Sequence, residues 1–306
     1  MYFTCSCAEE AKLIFEAFRD ANVPLWVAYY RRCHPAPLHL QRMVSNGDLG
    51  EILWVEYDLN YEVAAELESY QQAESSLSSL PWRFNPSISG GGLVLDVGSH
   101  VIDLIEFLFG PVNIQSSFAS RSKAYGECPV EDLVVFNFSD ASVNSSRGAE
   151  GSGRADTGIR IKGASHSQLR GTCRWDFGQP KGRGRDELLR IIGTKKMVMM
   201  QPLASNGFTI TDNGKENEFI SLPPSEHVHQ NLVQSIVNEL LSTRAVHTST
   251  TTSECEIAEG VGLLDLPECL STGSSGLRAS IHLDTALQTF YGSRRCGFWD
   301  GIKSPP

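Results

Sequence analysis

A chain of 306 residues with 41% hydrophobic and 20% charged residues can bury the core of one large or two ordinary domains. Its net charge of −10 excludes a surface built broadly for nucleic acid or anionic membrane, and every apolar stretch is broken by Asp, His or Glu before the ~20 residues of a membrane span. "MYFTCSCAEEAK" has neither the basic start nor the apolar centre of a secretory signal; the eight cysteines lack a framework spacing and read as reduced thiols of a cytoplasmic protein.

In chain order, "AEEAKLIFEAFRDANV" (8–23) carries apolar residues at helical spacing, and "PLWVAYY" (24–30) reads as a short buried strand. A helix followed by a strand at the start resembles the tail of an alternating β/α sheet. "PAPLHLQRMVSNGDLG" predicts a helix opened near Pro35 and closed by Asn46-Gly47, and "EILWVEYDLNYEV" predicts a strand. Residues 66–80 are polar and aperiodic, a loop; 90–110 predict one long helix. The pattern then turns to strands, "VNIQSSFAS", "VEDLVVFNFS", "GTCRWDF", "ELLRIIGT", "KMVMMQ", "GFTITD" and "EFISL", with hairpin breaks near Gly126 and Asn213-Gly214. "PSEHVHQNLVQSIVNELLS" predicts a helix capped by Ser225, and "SIHLDTALQTFYGS" a last one. Two stretches, 140–170 and 247–278, read as inserted loops. No internal repeat is present. The expected class is α/β (α+β), with a large, mostly antiparallel open sheet.

The helix "GGGLVLDVGSHVIDLIEFLFG" (90–110) is apolar nearly all round, yet carries Asp96, His100 and Asp103. At ~100° per residue the three fall within roughly 60° of one another. Ionisable groups on a buried rod either pair with partners or line a cavity. A carboxylate one turn from an imidazole of near-neutral pKa is an acid/base unit; a satisfied structural pair is the alternative. The three glycines let a backbone approach a ligand closely.

Here a family resemblance becomes specific. "GGGLVLDVGSHVIDLIEFLFGP" resembles the Gly-Gly-Gly…Asp-x-Gly-x-His…Asp helix of the glucose–fructose oxidoreductase / inositol dehydrogenase / MocA family. "VPLWVAYYRRCHPAPLHLQRMVSNGDLGEILWVEYD" resembles its crossover between domains, and "PWRFNPSISGGG", "DELLRIIGTKKMV" and "ALQTFYGSRRCGFW" resemble later segments in the same order. The resemblance implies hydride transfer between NAD or NADP and a sugar, polyol or related carbinol. It implies a remnant of a Rossmann domain over 1–31 and a substrate and oligomerisation domain over 32–306. By the same resemblance His100 takes the hydroxyl proton and Asp96 orients it or binds a hydroxyl. Trp82 and Arg83 match a pair that approaches the cofactor. Arg32 is a further cofactor candidate, with an interdomain structural charge as its alternative. A homo-oligomer through the open sheet face is also implied.

The departures are equally specific. No G-x-G-x-x-G follows a strand and opens a helix; "GSGRAD" (151–156) and "GRGRDE" (182–187) are near misses in loop or strand territory. The family's Glu-Lys-Pro would place its lysine at about Tyr2. The expectation is therefore an N-terminally truncated family member, inactive alone and without measurable NAD(P)H binding. The alternative is a non-catalytic binding or interaction module derived from the substrate domain. A zinc site using His227-x-His229 is disfavoured, because residues i and i+2 diverge at the start of a helix. No metal, nucleic-acid or membrane partner is expected.

Overall fold

The computed structural model describes residues 5–63, 81–122, 128–141, 169–204, 206–212, 215, 217–246 and 269–294. The loop expected at 66–80, the breaks at Gly126 and Asn213-Gly214, and nearly all of the insert at 140–170 lie outside these residues. Among the described residues there are eight strands: β1 (Ile52–Tyr61), β2 (Val112–Ser120), β3 (Leu133–Asp140), β4 (Arg170–Asp176), β5 (Arg185–Gly193), β6 (Lys196–Met200), β7 (Gly207–Asp212) and β8 (Glu218–Ser221). They form one open sheet in the order β2-β3-β4-β1-β5-β6-β7-β8. Every neighbouring pair is antiparallel except β1 and β4, which run parallel from Val55 against Gly171 to Asn60 against Asp176. A mostly antiparallel open sheet within an α/β chain is what the alternation predicted.

The period-two pattern decides which face is covered. Val55, Tyr57 and Leu59 are buried with Phe136, Trp175, Leu189 and Ile191, while Glu56, Asp58 and Asn60 lie on the other face. On the buried face Trp175 packs between the rings of Tyr57 and Phe136, at centroid distances of 5.2 and 5.5 Å. The open face carries a polar ladder instead: Arg174 donates to Asp58 and Asn60 at 2.8 Å each, and Arg190 to Glu56 at 2.6 Å. These pairs are a third exposed and contribute little each.

Among the described residues, five helices longer than two turns accompany the sheet: α1 (Ala8–Asp20), α2 (Pro35–Ser45), α3 (Ser99–Phe109), α4 (Gln230–Val246) and α5 (Gly273–Tyr291). α5 lies against β2, α3 packs on α2 and α5, and α1 rests on α5. None of the described helices is long and apolar enough to cross a membrane.

Four expectations need correction. Residues 24–30 are not a strand: Trp26 makes one isolated antiparallel bridge with Thr272, and Tyr30–Cys33 then turn into a 3-10 helix. The run is apolar because it is buried, not because a sheet continues there. α4 begins at Gln230 rather than after a Ser225 cap, because the Ser225 hydroxyl is spent on Asn231 Oδ1 at 3.0 Å. The 90–110 segment is not one helix; a π turn at Val94–Gly98 precedes α3. The second insert was drawn too long, because α5 already starts at Gly273, inside "STGSSGL".

That last glycine-rich stretch is a packing device and not a linker. A Cβ on Gly273 would meet Leu25 Cδ2 at 2.7 Å, and one on Gly276 would meet Val27 Cγ2 at 2.5 Å. Gly276→Val is accordingly expected to force Val27 aside and destabilise the chain by about 1–3 kcal/mol in urea denaturation. Unchanged stability would show that the contact is loose.

Candidate active site

The site is assembled from three short pieces. A single helical turn, Pro86–Ser89, leads into Gly90-Gly91-Gly92, and the π turn carries Asp96 before α3 delivers His100. A π turn is wider than an α turn and recurs at functional sites. It also changes the expected stacking, since no hydrogen bond joins Asp96 to His100. The Asp96 carbonyl instead accepts from the Ser99 hydroxyl at 2.8 Å.

Both side chains face a hollow of about 50 Å³, lined also by Trp82, Arg83, Ser89 and Ser99, with Tyr29 and Leu283 as its apolar wall. Two roomier hollows lie along β5–β8. The larger has a mixed lining with no histidine, and the carboxylate of its Glu187 is already taken by Tyr57 and the Leu203 N–H. Chemistry, not volume, selects the first one.

The His100 ring meets Tyr29 and Tyr30 edge-on, each at 5.4 Å between centroids. Its Nδ1 is fully buried without a hydrogen-bond partner. A buried polar atom left this way costs free energy until a ligand or water reaches it. Burial, with help from Arg31 and His229, pushes the imidazole down to about 3, so the ring is neutral at physiological pH. Asp96 moves the other way: burial raises its carboxyl above the ordinary range, against the pull of Arg83 and Arg31. Arg83 reaches Asp96 only at 3.9 Å, with its own side chain 41% exposed, a weak and screened pair. Its guanidinium lies 5.6 Å from the Trp82 ring centre.

Arg32 and Asp103 are placed elsewhere. Arg32 donates to both Asp103 carboxylate oxygens at 2.8 Å and to the Leu270 carbonyl at 3.0 Å, so all its nitrogens are engaged. Neither side chain lines the hollow, and the pair ties α3 to the turn before α2. Asp103, on the same predicted stripe as Asp96 and His100, is thus a structural partner.

Sequence reasoning missed Tyr29, Ser89 and Ser99. The two serines flank the glycine turn and His100, a weak signal; Tyr29 arrives from a distant segment and gave none. Among the described residues, no group of three His, Cys, Asp or Glu side chains is arranged to hold a metal. His227 and His229 precede α4, with the intervening Val228 carbonyl bonded to His34 Nε2 at 3.0 Å.

Comparison with known proteins agrees with this architecture. The model of the GFO/IDH/MocA C-terminal domain matches residues 38–199, just over half of the chain. Oxidoreductase P35 of Formosa agariphila is 28% identical over 130 residues, 42% of this chain and 37% of that protein. Levoglucosan dehydrogenase of Pseudarthrobacter phenanthrenivorans is 31% identical over 102 residues, 33% of this chain and 24% of that one. The matched stretches thus span well under half of these relatives. The crystal structure of an inositol dehydrogenase homolog complexed with NAD+ from Azotobacter vinelandii superposes with a TM-score of 0.64 at 16% identity, covering 93% of this chain and 67% of that one. The chain belongs to the GFO/IDH/MocA family of oxidoreductases, whose members include NAD(P)-dependent enzymes acting on sugars and polyols.

Proposed function

We propose that this chain is the substrate-handling part of an NAD(P)-dependent oxidoreductase that interconverts a carbinol and a carbonyl on a sugar or polyol. The observation that carries the reading is that His100, whose buried Nδ1 has no hydrogen-bond partner, lines a hollow together with Asp96. A substrate hydroxyl supplies what that nitrogen lacks. Neutral His100 accepts the hydroxyl proton, and the Asp96 carboxylate steadies the imidazolium that results. Because burial lowers the imidazole's affinity for protons to about 3, His100 releases the proton to solvent water and does not store it. Ser89 and Ser99 offer hydroxyls to a polyhydroxylated ligand.

The described residues fit the nicotinamide end of a dinucleotide. Trp82 presents an indole that is 41% exposed at the rim of the hollow, with Arg83 beside it. When bound there, the cofactor supplies the hydride acceptor or donor for the carbinol carbon. The start of α1 does not favour the diphosphate end. The first turn of α1 is already acidic, the Ala8 N–H is taken by Asp284 at 2.7 Å and the Ser6 N–H by Glu10 at 2.7 Å. A diphosphate needs free N–H groups at a helix start. The chain's remnant of a Rossmann domain at 1–31 and the oligomer through the open sheet face belong to this same reading.

Titration of the chain with levoglucosan, read from the NMR signals of the His100 ring, tests the proposal. Saturable shifts are expected; the affinity, followed in both proteins at the Gly92 amide on the same hollow, falls about 10-fold or more in His100→Gln, in keeping with ~1.5–3 kcal/mol for a hydrogen bond to a charged or reacting group. No response to levoglucosan or to a panel of sugars and polyols would overturn it. Fluorescence titration with NADH is expected to show no binding to this chain alone. Micromolar affinity would mean that these residues hold the whole dinucleotide. Sugar binding in a cellular protein that never engages NAD(P)H would favour the non-catalytic binding module.

A further inference from the structure

The glycine turn in front of the site is held from below by a carboxyl group that neither the hollow nor the proposed chemistry uses. Glu131, just before β3, is fully buried. Both of its carboxylate oxygens face the Gly92 N–H, at 3.2 and 3.1 Å, and the Tyr291 hydroxyl at the end of α5 donates to Oε2. A Cβ on Gly92 would come within 2.9 Å of the Glu131 carboxyl carbon, so only glycine admits the carboxyl this close. Arg294 donates to the Gly90 carbonyl and to Asp284, closing the underside of the turn. Gly92 itself lines the hollow with Leu95 and Asp96, so one residue both donates to the buried carboxyl and borders the site.

We propose that Glu131 is a positioning residue for the candidate active site, holding the glycine turn, and with it Asp96 and His100, through the Gly92 N–H. The proposal rests on reading Asp96 and His100 as the substrate-handling pair. Its geometry, a buried carboxyl placed against the last residue of the glycine turn, stands independently of the reaction. The groups facing Glu131 are Tyr291 and Arg294 from the end of α5 and beyond, Cys128 from its own loop, and the Gly92 amide. Burial pushes the carboxyl up to about 7, against the hydrogen bonds from Tyr291 and Gly92 and the charge of Arg294. The turn is therefore tied to a group that changes charge near neutrality.

The test compares the wild-type chain with Glu131→Gln and Tyr291→Phe by NMR, with levoglucosan as the ligand. In the wild type the Gly92 amide shift is expected to move with a midpoint near pH 7. In Glu131→Gln that transition disappears, the His100 ring signals move, and levoglucosan affinity falls about 10-fold while the melting temperature is retained. In Tyr291→Phe the midpoint moves upward, because a hydrogen bond that favours the charged carboxylate is gone. Should Glu131→Gln not fold, the Tyr291→Phe shift decides the matter. His100 signals that superimpose in wild type and variant, or a Gly92 amide indifferent to pH, overturn the proposal. If levoglucosan binds neither wild type nor variant, the functional reading fails, and the ring and amide signals still decide the positioning role.

Discussion

Asp103→Ala is expected to destabilise the chain by about 3–5 kcal/mol in urea denaturation, more than any other single change to a polar residue. Arg32 and Asp103 are 7% and 2% exposed, and their two parallel contacts of 2.8 Å are the geometry that a guanidinium and a carboxylate prefer. Removing the carboxylate leaves a buried guanidinium with the Leu270 carbonyl at 3.0 Å, the backbone carbonyl of residue 103 at a long 3.5 Å and the face of the Phe107 ring, whose centre is 5.3 Å away. Arginine does not give up its proton, so no change of charge state relieves that variant. Arg32→Met is expected to cost less. Burial already holds the Asp103 carboxyl above the ordinary range, and an orphaned Asp103 can take up a proton. The double variant Arg32→Met/Asp103→Leu is expected to recover most of the loss, because burying two apolar groups avoids desolvating two charges. Additive losses in the double variant would show that the two residues act separately. The pair's position gives this a functional side: it fixes α3, and so His100, against the turn that carries Tyr30 and Arg31.

The sheet was legible because its physics is local and repetitive. Alternation along 52–61, 133–140 and 185–193 names the buried face residue by residue, and the strands formed within a residue or two of their predicted bounds, except β3, which starts at Leu133, three residues after the predicted Val130. Local signals misled where burial came from a distant partner. Residues 24–30 have a strand's composition, but their neighbours are Ser271 and Gly273, and the Val27 N–H to Ser271 carbonyl contact at 3.2 Å spans most of the chain. "STGSSGL" has a linker's composition, but its glycines are where α5 closes on Leu25 and Val27. In the site, the presence of Asp96 and His100 on one segment was readable, because ionisable residues on an apolar rod demand a reason. Their relation was not. Helical arithmetic assumes α geometry, and the π turn at 94–98 breaks it, so Asp96 meets Arg83 while Asp103 turns to Arg32. The sequence also suggests a near-neutral imidazole, whereas burial and the charges of Arg31 and His229 leave His100 far below that. Glu131 was invisible for a related reason: "VEDLVV" looks like an ordinary strand entry until Gly92 and Tyr291 arrive from elsewhere.

The pH dependence of stability offers the sharpest check on this electrostatic picture, because two buried groups work in opposite directions. His100 binds a proton near 6.5 when unfolded and near 3 when folded. Between those values the unfolded chain holds the extra proton, so His100 is neutral to stability above pH 6.5 and subtracts from it as pH falls. The slope is about 1.4 kcal/mol per pH unit and the total roughly 3–5 kcal/mol by pH 3. Glu131 has its folded value raised from 4.5 to about 7. Here the folded chain holds the extra proton, so stability falls as pH rises from 4.5 to 7, by roughly 3 kcal/mol. Over pH 4.5–6.5 the two slopes cancel, and a melting curve of the wild type alone hides both. Difference curves separate them. The stability of the wild type minus that of His100→Gln is expected to decline steadily below pH 6.5. The same difference for Glu131→Gln is expected to decline above pH 4.5 and level off past pH 7. A His100→Gln difference that stays flat down to pH 4 would mean that the imidazole is solvated and free to protonate. The unpartnered Nδ1 would then be no feature of the protein in solution, and the case for a substrate hydroxyl at that atom would go with it.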